Sequence, residues 1–137
     1  MSPTLNKIVY KINVPISEEE IIEVFESSGI TRPVQDKGRI KTMFQNSDVI
    51  ISAWSSKELV GVSRALTDYA YCCYLSDLAV KKNYQGKGIG RRMIEITKET
   101  IGDKVMLLLL SAPSAINYYS KIGLEKAENG FMIKRKF

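Results

Sequence analysis

Between residues 81 and 92 the chain reads Lys-Lys-Asn-Tyr-Gln-Gly-Lys-Gly-Ile-Gly-Arg-Arg, five cations with no acid and glycines at 86, 88 and 90. The chemistry this spells is anion binding. Glycine backbone carries no Cβ, so successive N–H groups can turn inward on a phosphate at the start of a following helix, where the helix dipole adds partial positive charge. The competing reading is an ordinary surface turn, which rarely needs three alternating glycines together with a one-sign run of charge. Two familiar phosphate loops do not fit. Neither Gly86-Lys87-Gly88 nor Gly90-Arg91-Arg92 supplies the G-x-x-x-x-G-K-[ST] pattern of a nucleoside triphosphate loop. A dinucleotide fingerprint, G-x-G-x-x-G, fails because Arg91 takes its sixth position and because the stretch follows antiparallel-looking strands instead of opening a βαβ unit.

Other chemistry is removed by what the chain lacks. It contains no histidine, which excludes Ser-His-Asp catalysis and the common zinc sites, so no metal is expected. Its two cysteines, Cys72 and Cys73, are adjacent, and neighbouring strand side chains point to opposite faces; they read as strand residues in a reducing compartment. The net charge of +5 suits a basic pocket for a small anion. A nucleic-acid surface would spread cations and aromatics over one face, whereas these cluster at one loop.

The elements that must hold this loop fit within one domain, residues 1–137, of average hydrophobic (45%) and charged (26%) content. The longest apolar run, Val105 to Leu110, is far too short to span a membrane, and no basic-then-apolar leader opens the chain. A cytoplasmic protein is expected. Lys7 to Val14 alternates as a strand, ended by Pro15; Ser17 and Glu20 have capping-box spacing ahead of an apolar stripe of Ile21, Ile22 and Phe25, closed by Gly29. A shorter helix is predicted over Asp36 to Gln45, despite Gly38. Strands are predicted at Asp48 to Trp54, Glu58 to Leu66 and Tyr71 to Val80, the third feeding the glycine loop. Past the loop, Ile89, Met93, Ile96 and Thr100 recur at helical spacing to Gly102. Val105 to Leu110, apolar on both faces, reads as a central covered strand. Ala115 to Ile122 predicts a short helix closed by Gly123, and Leu124 to Phe137 a final hairpin across Glu128-Asn129-Gly130.

Gln85-Gly86-Lys87-Gly88-Ile89-Gly90 matches [QR]-x-x-G-x-[GA], and here the chain resembles the GNAT superfamily of acyl-CoA-dependent N-acetyltransferases. Leu75 to Val80 resembles the strand that leads into that family's loop. Ala115 to Leu124 resembles its later A-x-x-[FY]-Y-x-K-x-G-[FL] segment. The order of elements is also the family's, so the resemblance covers nearly the whole chain. It implies an α+β fold with a mixed, largely antiparallel sheet of six to seven strands and about four helices. It implies acetyl transfer from acetyl-CoA to a primary amine by direct attack in a ternary complex, with no covalent enzyme intermediate. The second reading, from another class, is a CoA-binding regulatory or protein-interaction module without turnover.

Residue roles follow from the resemblance. The main chain of Leu78, Ala79 and Val80 would pair with the pantetheine arm, and the N–H groups of Gln85, Gly86, Lys87, Gly88, Ile89, Gly90 and Arg91 would hold the pyrophosphate. Tyr119 matches a tyrosine that protonates the departing thiolate; its helical spacing with Ile116 and Ile122, taken alone, favours a core position, and the motif match favours the catalytic role. The chain departs from the family at Ala112, where an asparagine is common, and at Tyr74, where some members carry a carboxylate. Alternation places nearby Asp77 on the opposite face from Tyr74, Ser76 and Leu78, so a structural role precedes a proton relay there. The acceptor would meet Phe25, Ile30, Arg32, Pro33, Val34, Asp68, Tyr71 and Tyr74, with Asp68 either attracting a cationic amine or forming a turn. A small-molecule or peptide amine is implied, polyamines and aminoglycosides included, and a monomer or homodimer.

Overall fold

A computed structural model describes residues 7–137. Strands β1 (Ile8–Ile12), β2 (Val49–Ser55), β3 (Glu58–Thr67), β4 (Cys72–Val80) and β5 (Met106–Leu109) form one sheet in the order β1-β2-β3-β4-β5. The first four pair antiparallel; β5 pairs parallel with β4. A parallel neighbour needs a crossover, and α3 (Ile89–Ile101) supplies it. Helix α3 covers one face, where Ile89, Met93, Ile94, Ile96 and Ile101 pack on Val49, Ile51, Ala53 and Leu75. Helices α1 (Glu18–Ser28) and α2 (Lys37–Gln45) cover the other, burying Ile21, Val24, Phe25 and Ile40 against Leu59, Val62 and Ala79. The short α4 (Ile116–Lys121) follows β5.

Helix α1 begins as its sequence dictates. The Ser17 hydroxyl accepts from the Glu20 N–H at 3.1 Å, and the Glu20 carboxylate takes the Ser17 N–H at 3.1 Å. Gly29, at φ +84°, closes the helix. In α3 the buried threonine is Thr97, not Thr100; its hydroxyl donates to the Met93 carbonyl at 2.8 Å, which lets a polar group enter the core satisfied.

Two expectations about the carboxy-terminal part are corrected. Among the described residues the sheet has five strands, not six to seven, because residues 124–137 form no strand: Glu128 and Asn129 make a turn, but Phe131 and Ile133 beyond it are 98% and 100% exposed. A turn signal without a facing ladder does not make a hairpin. Strand β5 is also not covered on both faces. Leu107 and Leu109 pack on the α3 side, while Met106 and Leu108 stand exposed, since α1 lies over β3 and β4 and leaves β5 bare.

Candidate functional site

The glycine loop is organised by its own backbone. After β4 the chain makes one 3-10 turn over Lys82–Tyr84, then passes Gly86 at φ +76° and Gly88 at φ +84°, a left-handed conformation that side chains with a Cβ resist. Gly88 is the N-cap of α3 and supplies no side-chain cap. The Arg92 N–H, bonded to the Gly88 carbonyl at 3.0 Å, is the first helical donor, so the N–H groups of Ile89, Gly90 and Arg91 have no acceptor within the helix; that of Arg91 meets the Tyr118 hydroxyl. Gly90 serves differently: a Cβ there would lie 3.5 Å from the Tyr118 hydroxyl and 3.7 Å from Leu78. Burial raises the Tyr118 phenol's pKa, while Arg91, by its charge and main-chain N–H, lowers it less. Tyr118 therefore belongs to the loop's surroundings, a position that its sequence, which reads as packing, did not disclose.

The cations divide. Lys81 is 9% exposed, its ammonium held by Glu23 at 2.8 Å and Glu58 at 3.0 Å. Burial opposes its charge, yet those two carboxylates win and its pKa is raised. Arg91 and Arg92 reach Glu95 at 3.5 and 3.4 Å, and Arg92 also reaches Glu99 at 3.1 Å. Lys82 and Lys87 are exposed, and among the described residues neither takes part in a salt bridge. Gln85 is tied down by its side chain, which donates to the Val80 carbonyl at 2.9 Å and to the Ser28 carbonyl at 3.4 Å, joining the end of β4 to the end of α1.

Beside the loop the sheet opens. The β4–β5 ladder stops at Leu75 and Leu109, while β4 runs on to Val80 without a neighbour on that side. The space left is a cleft of about 460 Å³, with Leu78, Ala79 and Val80 on one wall, Leu109, Leu110, Ala112 and Tyr119 opposite, and residues 28–32 closing an end. A β-bulge shapes it. Ala65 faces Leu75 and Arg64 faces Asp77, so Ser76 is an extra residue and the alternation restarts after it. Below the bulge Cys73 and Leu75 face α3; above it Leu78 and Val80 do, and Ala79 faces α1. This corrects the strict alternation read from sequence: Ser76 and Asp77 both meet Arg64.

The Asp77 carboxylate is fully buried, and its two oxygens pair with Arg32 Nε and Arg64 Nε. It is closed off between guanidiniums, the structural reading of the two that sequence left open. Arg64 also donates to the Ser76 hydroxyl at 2.9 Å, and Arg32 to the Ser76 carbonyl at 2.8 Å. The available signal for this hub was a charged residue within each of two otherwise apolar strands, Arg64 and Asp77. What it could not show was that they share a register position.

Tyr119 lines the cleft and also packs against the α3-side core. Burial pushes its phenol above the ordinary tyrosine value, with Tyr118 adding to it. The two rings meet edge to face at 5.2 Å. Of the residues expected at the acceptor, Ile30 and Arg32 line the cleft. Phe25 does not: it is 0% exposed, in the α1 core with its ring 6.1 Å from that of Phe44. Asp68 forms a turn, accepting from the N–H groups of Ala70, Tyr71 and Cys72 at 2.8, 2.7 and 3.2 Å, and these bonds hold its carboxyl below the usual range. Asp68 and the exposed Tyr71 precede the first residue of β4, at the end away from the loop, and Tyr74 sits in the ladder opposite Leu108. Pro33 and Val34 lie outside the cleft lining, Val34 against the α1-side core. Among the described residues no cluster of three His, Cys, Asp or Glu side chains could hold a metal, and no helix is long and apolar enough to cross a membrane.

An acetyltransferase (GNAT) domain family model matches residues 14–133. An uncharacterized N-acetyltransferase, ycf52, of the red alga Pyropia yezoensis is 27% identical over 142 residues, covering 95% of this chain and 80% of its own. Among solved structures, a probable acetyltransferase from Staphylococcus aureus superposes with a TM-score of 0.79 at 20% identity, over 94% of this chain and all (100%) of the other. An aminoglycoside N-acetyltransferase in complex with CoA superposes with a TM-score of 0.72 at 11% identity, with 100% of both chains covered. At such identities the likeness to the solved structures speaks for the fold.

Proposed function

The chain belongs to the acetyltransferase (GNAT) family, and from that premise we propose that it moves an acetyl group from acetyl-CoA to a primary amine by direct attack in a ternary complex. The observation that carries this reading is one juxtaposition. An uncapped helix start behind two left-handed glycines opens beside an unpaired stretch of β4, and Tyr119 lines the same cleft. The free N–H groups of α3 suit a pyrophosphate, and the open edge of Leu78, Ala79 and Val80 suits an extended amide-bearing arm that adds to the sheet as a strand would.

Acetyl-CoA, as substrate, supplies the activated acetyl thioester. The chain's residues bind, orient and move protons. The glycine loop and the β4 edge fix the far end and the arm, so an amine entering past Ile30 and Arg32 meets the acetyl group at high effective concentration. Tyr119, kept protonated by its burial, donates to the departing sulfur. Among the described residues no carboxylate lines the cleft, and Asp77 is committed to its arginines, so the amine's proton leaves through water. Cys72 and Cys73 are free thiols, suited to a reducing compartment such as the cytoplasm, and neither lines the cleft.

Titration calorimetry with acetyl-CoA followed by a thiol-release assay over a panel of amines tests the reading. Binding and amine-dependent thiol release are expected; binding without release on any amine would favour the silent CoA-binding module. Tyr119→Phe should lower turnover about 100-fold with acetyl-CoA affinity within about 2-fold of the original. With its pKa raised, the Tyr119 proton is present through neutral pH, and turnover should fall only as pH rises past the ordinary phenol value of 10.0. That alkaline fall should vanish in Tyr119→Phe, and unchanged turnover in the variant would remove Tyr119 from the mechanism.

A further inference from the structure

The acceptor end of the cleft carries a charge signature that narrows the acceptor class. Among the described residues Arg32 is the only charged side chain lining the cleft; it is 26% exposed, and its guanidinium bonds to the β4 bulge. Three of its N–H groups are committed: Nε to Asp77, Nη1 to the Thr31 carbonyl at 2.6 Å and Nη2 to the Ser76 carbonyl at 2.8 Å. A guanidinium has five donors in a planar fork, so one N–H on each terminal nitrogen remains.

The local charge is unbalanced as well. Asp77 is one carboxylate between two arginines, Arg32 and Arg64, so the cluster carries an uncompensated positive charge. Glu23 and Glu58 are taken by Lys81, the residue that follows β4. Among the described residues no acidic side chain lines the cleft to receive a second ammonium group. A polycationic amine would meet a positive charge at the entrance with no counter-ion behind it. An amine that also carries a carboxylate would meet that charge as a counter-ion, with two uncommitted guanidinium N–H groups to donate to it.

We infer that Arg32, held in place by Asp77, is a specificity-determining residue that reads a carboxylate on the acceptor, making carboxylate-bearing amines, amino acids among them, the preferred substrates over polyamines and other multiply cationic amines. The inference rests on the acetyl-transfer reading above and adds the acceptor class to it. Asp77 acts as a positioning residue: it fixes the orientation of the Arg32 guanidinium, which in turn holds the Ser76 carbonyl of the bulge.

The test is a thiol-release assay on the full chain with acetyl-CoA and matched acceptors: tyrosine, its methyl ester and tyramine, 4-aminobutyrate against butylamine, and spermidine as the polycation. The expected result is a kcat/KM for the carboxylate-bearing member at least about 10-fold above its partner, the size of one good charge-assisted contact, carried mainly in KM. Arg32→Gln should bring tyrosine down toward its ester and tyramine, while Arg32→Lys, which keeps the charge but loses the fork, should fall between. Equal or better rates with tyramine, butylamine or spermidine in the unmodified protein would overturn the inference and leave acetyl transfer standing. That comparison needs no variant, so an unstable Arg32→Gln does not block it. Absence of acetyl-CoA binding, or of thiol release on every amine, would instead overturn the acetyl-transfer reading and this inference with it.

Discussion

Helices α1 and α3 begin in opposite ways. At α1 the Ser17 side chain and Glu20 satisfy the first N–H groups, and three glutamates, Glu18, Glu19 and Glu20, complement the dipole. At α3 the cap is Gly88 with no side-chain bond, and the first turn contains no acid. One helix closes its own positive end; the other leaves it open, beside the cleft. An uncapped start sacrifices about 1 kcal/mol of local stability, and a bound anion restores it. On the proposed function the contrast has a purpose: the uncapped start of α3 leaves its positive end for the cofactor's pyrophosphate, whereas α1 closes its own.

Reversing this contrast gives the largest expected effect. Gly88→Asp should place a carboxylate where the anion is expected and strain a backbone at φ +84°, weakening acetyl-CoA binding at least about 100-fold, or about 2.7 kcal/mol, by calorimetry. The circular dichroism spectrum should stay native, and retained affinity would break the comparison. The complementary change, Ser17→Ala, should cost about 1 kcal/mol in urea unfolding and leave acetyl-CoA affinity unchanged, because that helix end serves only the fold. An affinity loss there would show that the two ends are not separate in purpose.

Smaller effects sharpen the picture. Lys87→Ala should weaken acetyl-CoA about 3-fold at low salt, and the difference should shrink at 0.5 M salt, where exposed charges are screened. Arg92→Ala should change affinity by less than about 2-fold, because its guanidinium is exposed and already faces Glu95 and Glu99. If Arg92 proved stronger than Lys87, the glutamates would not be holding it away from the anion.

Much of this was legible before any fold was known. The capping box, the C-cap at Gly29 and the glycine loop are local: each follows from residues within a few positions, whose backbone preferences act in any context. The same locality explains the failure at the carboxy end. Asn129-Gly130 does mark a turn, but a strand needs a partner edge, and the alternation of residues 131–137 cannot supply one. Phe25 fits the helix stripe expected of it and is buried for the same reason, which takes it out of the acceptor set.

By itself, then, the sequence determined the two helix starts, the glycine loop and the order of elements, because those depend on φ preferences, capping and short-range periodicity. Only the tertiary structure decided where charge acts. It paired Lys81 with Glu23 and Glu58, 58 and 23 residues away, and so tied one of the five loop cations to carboxylates. It inserted Ser76 as a bulge, turned Asp77 toward Arg64 and brought Arg32 to it across 45 residues of chain. Coulomb attraction and burial depend on distance through space, and distance through space is what folding creates.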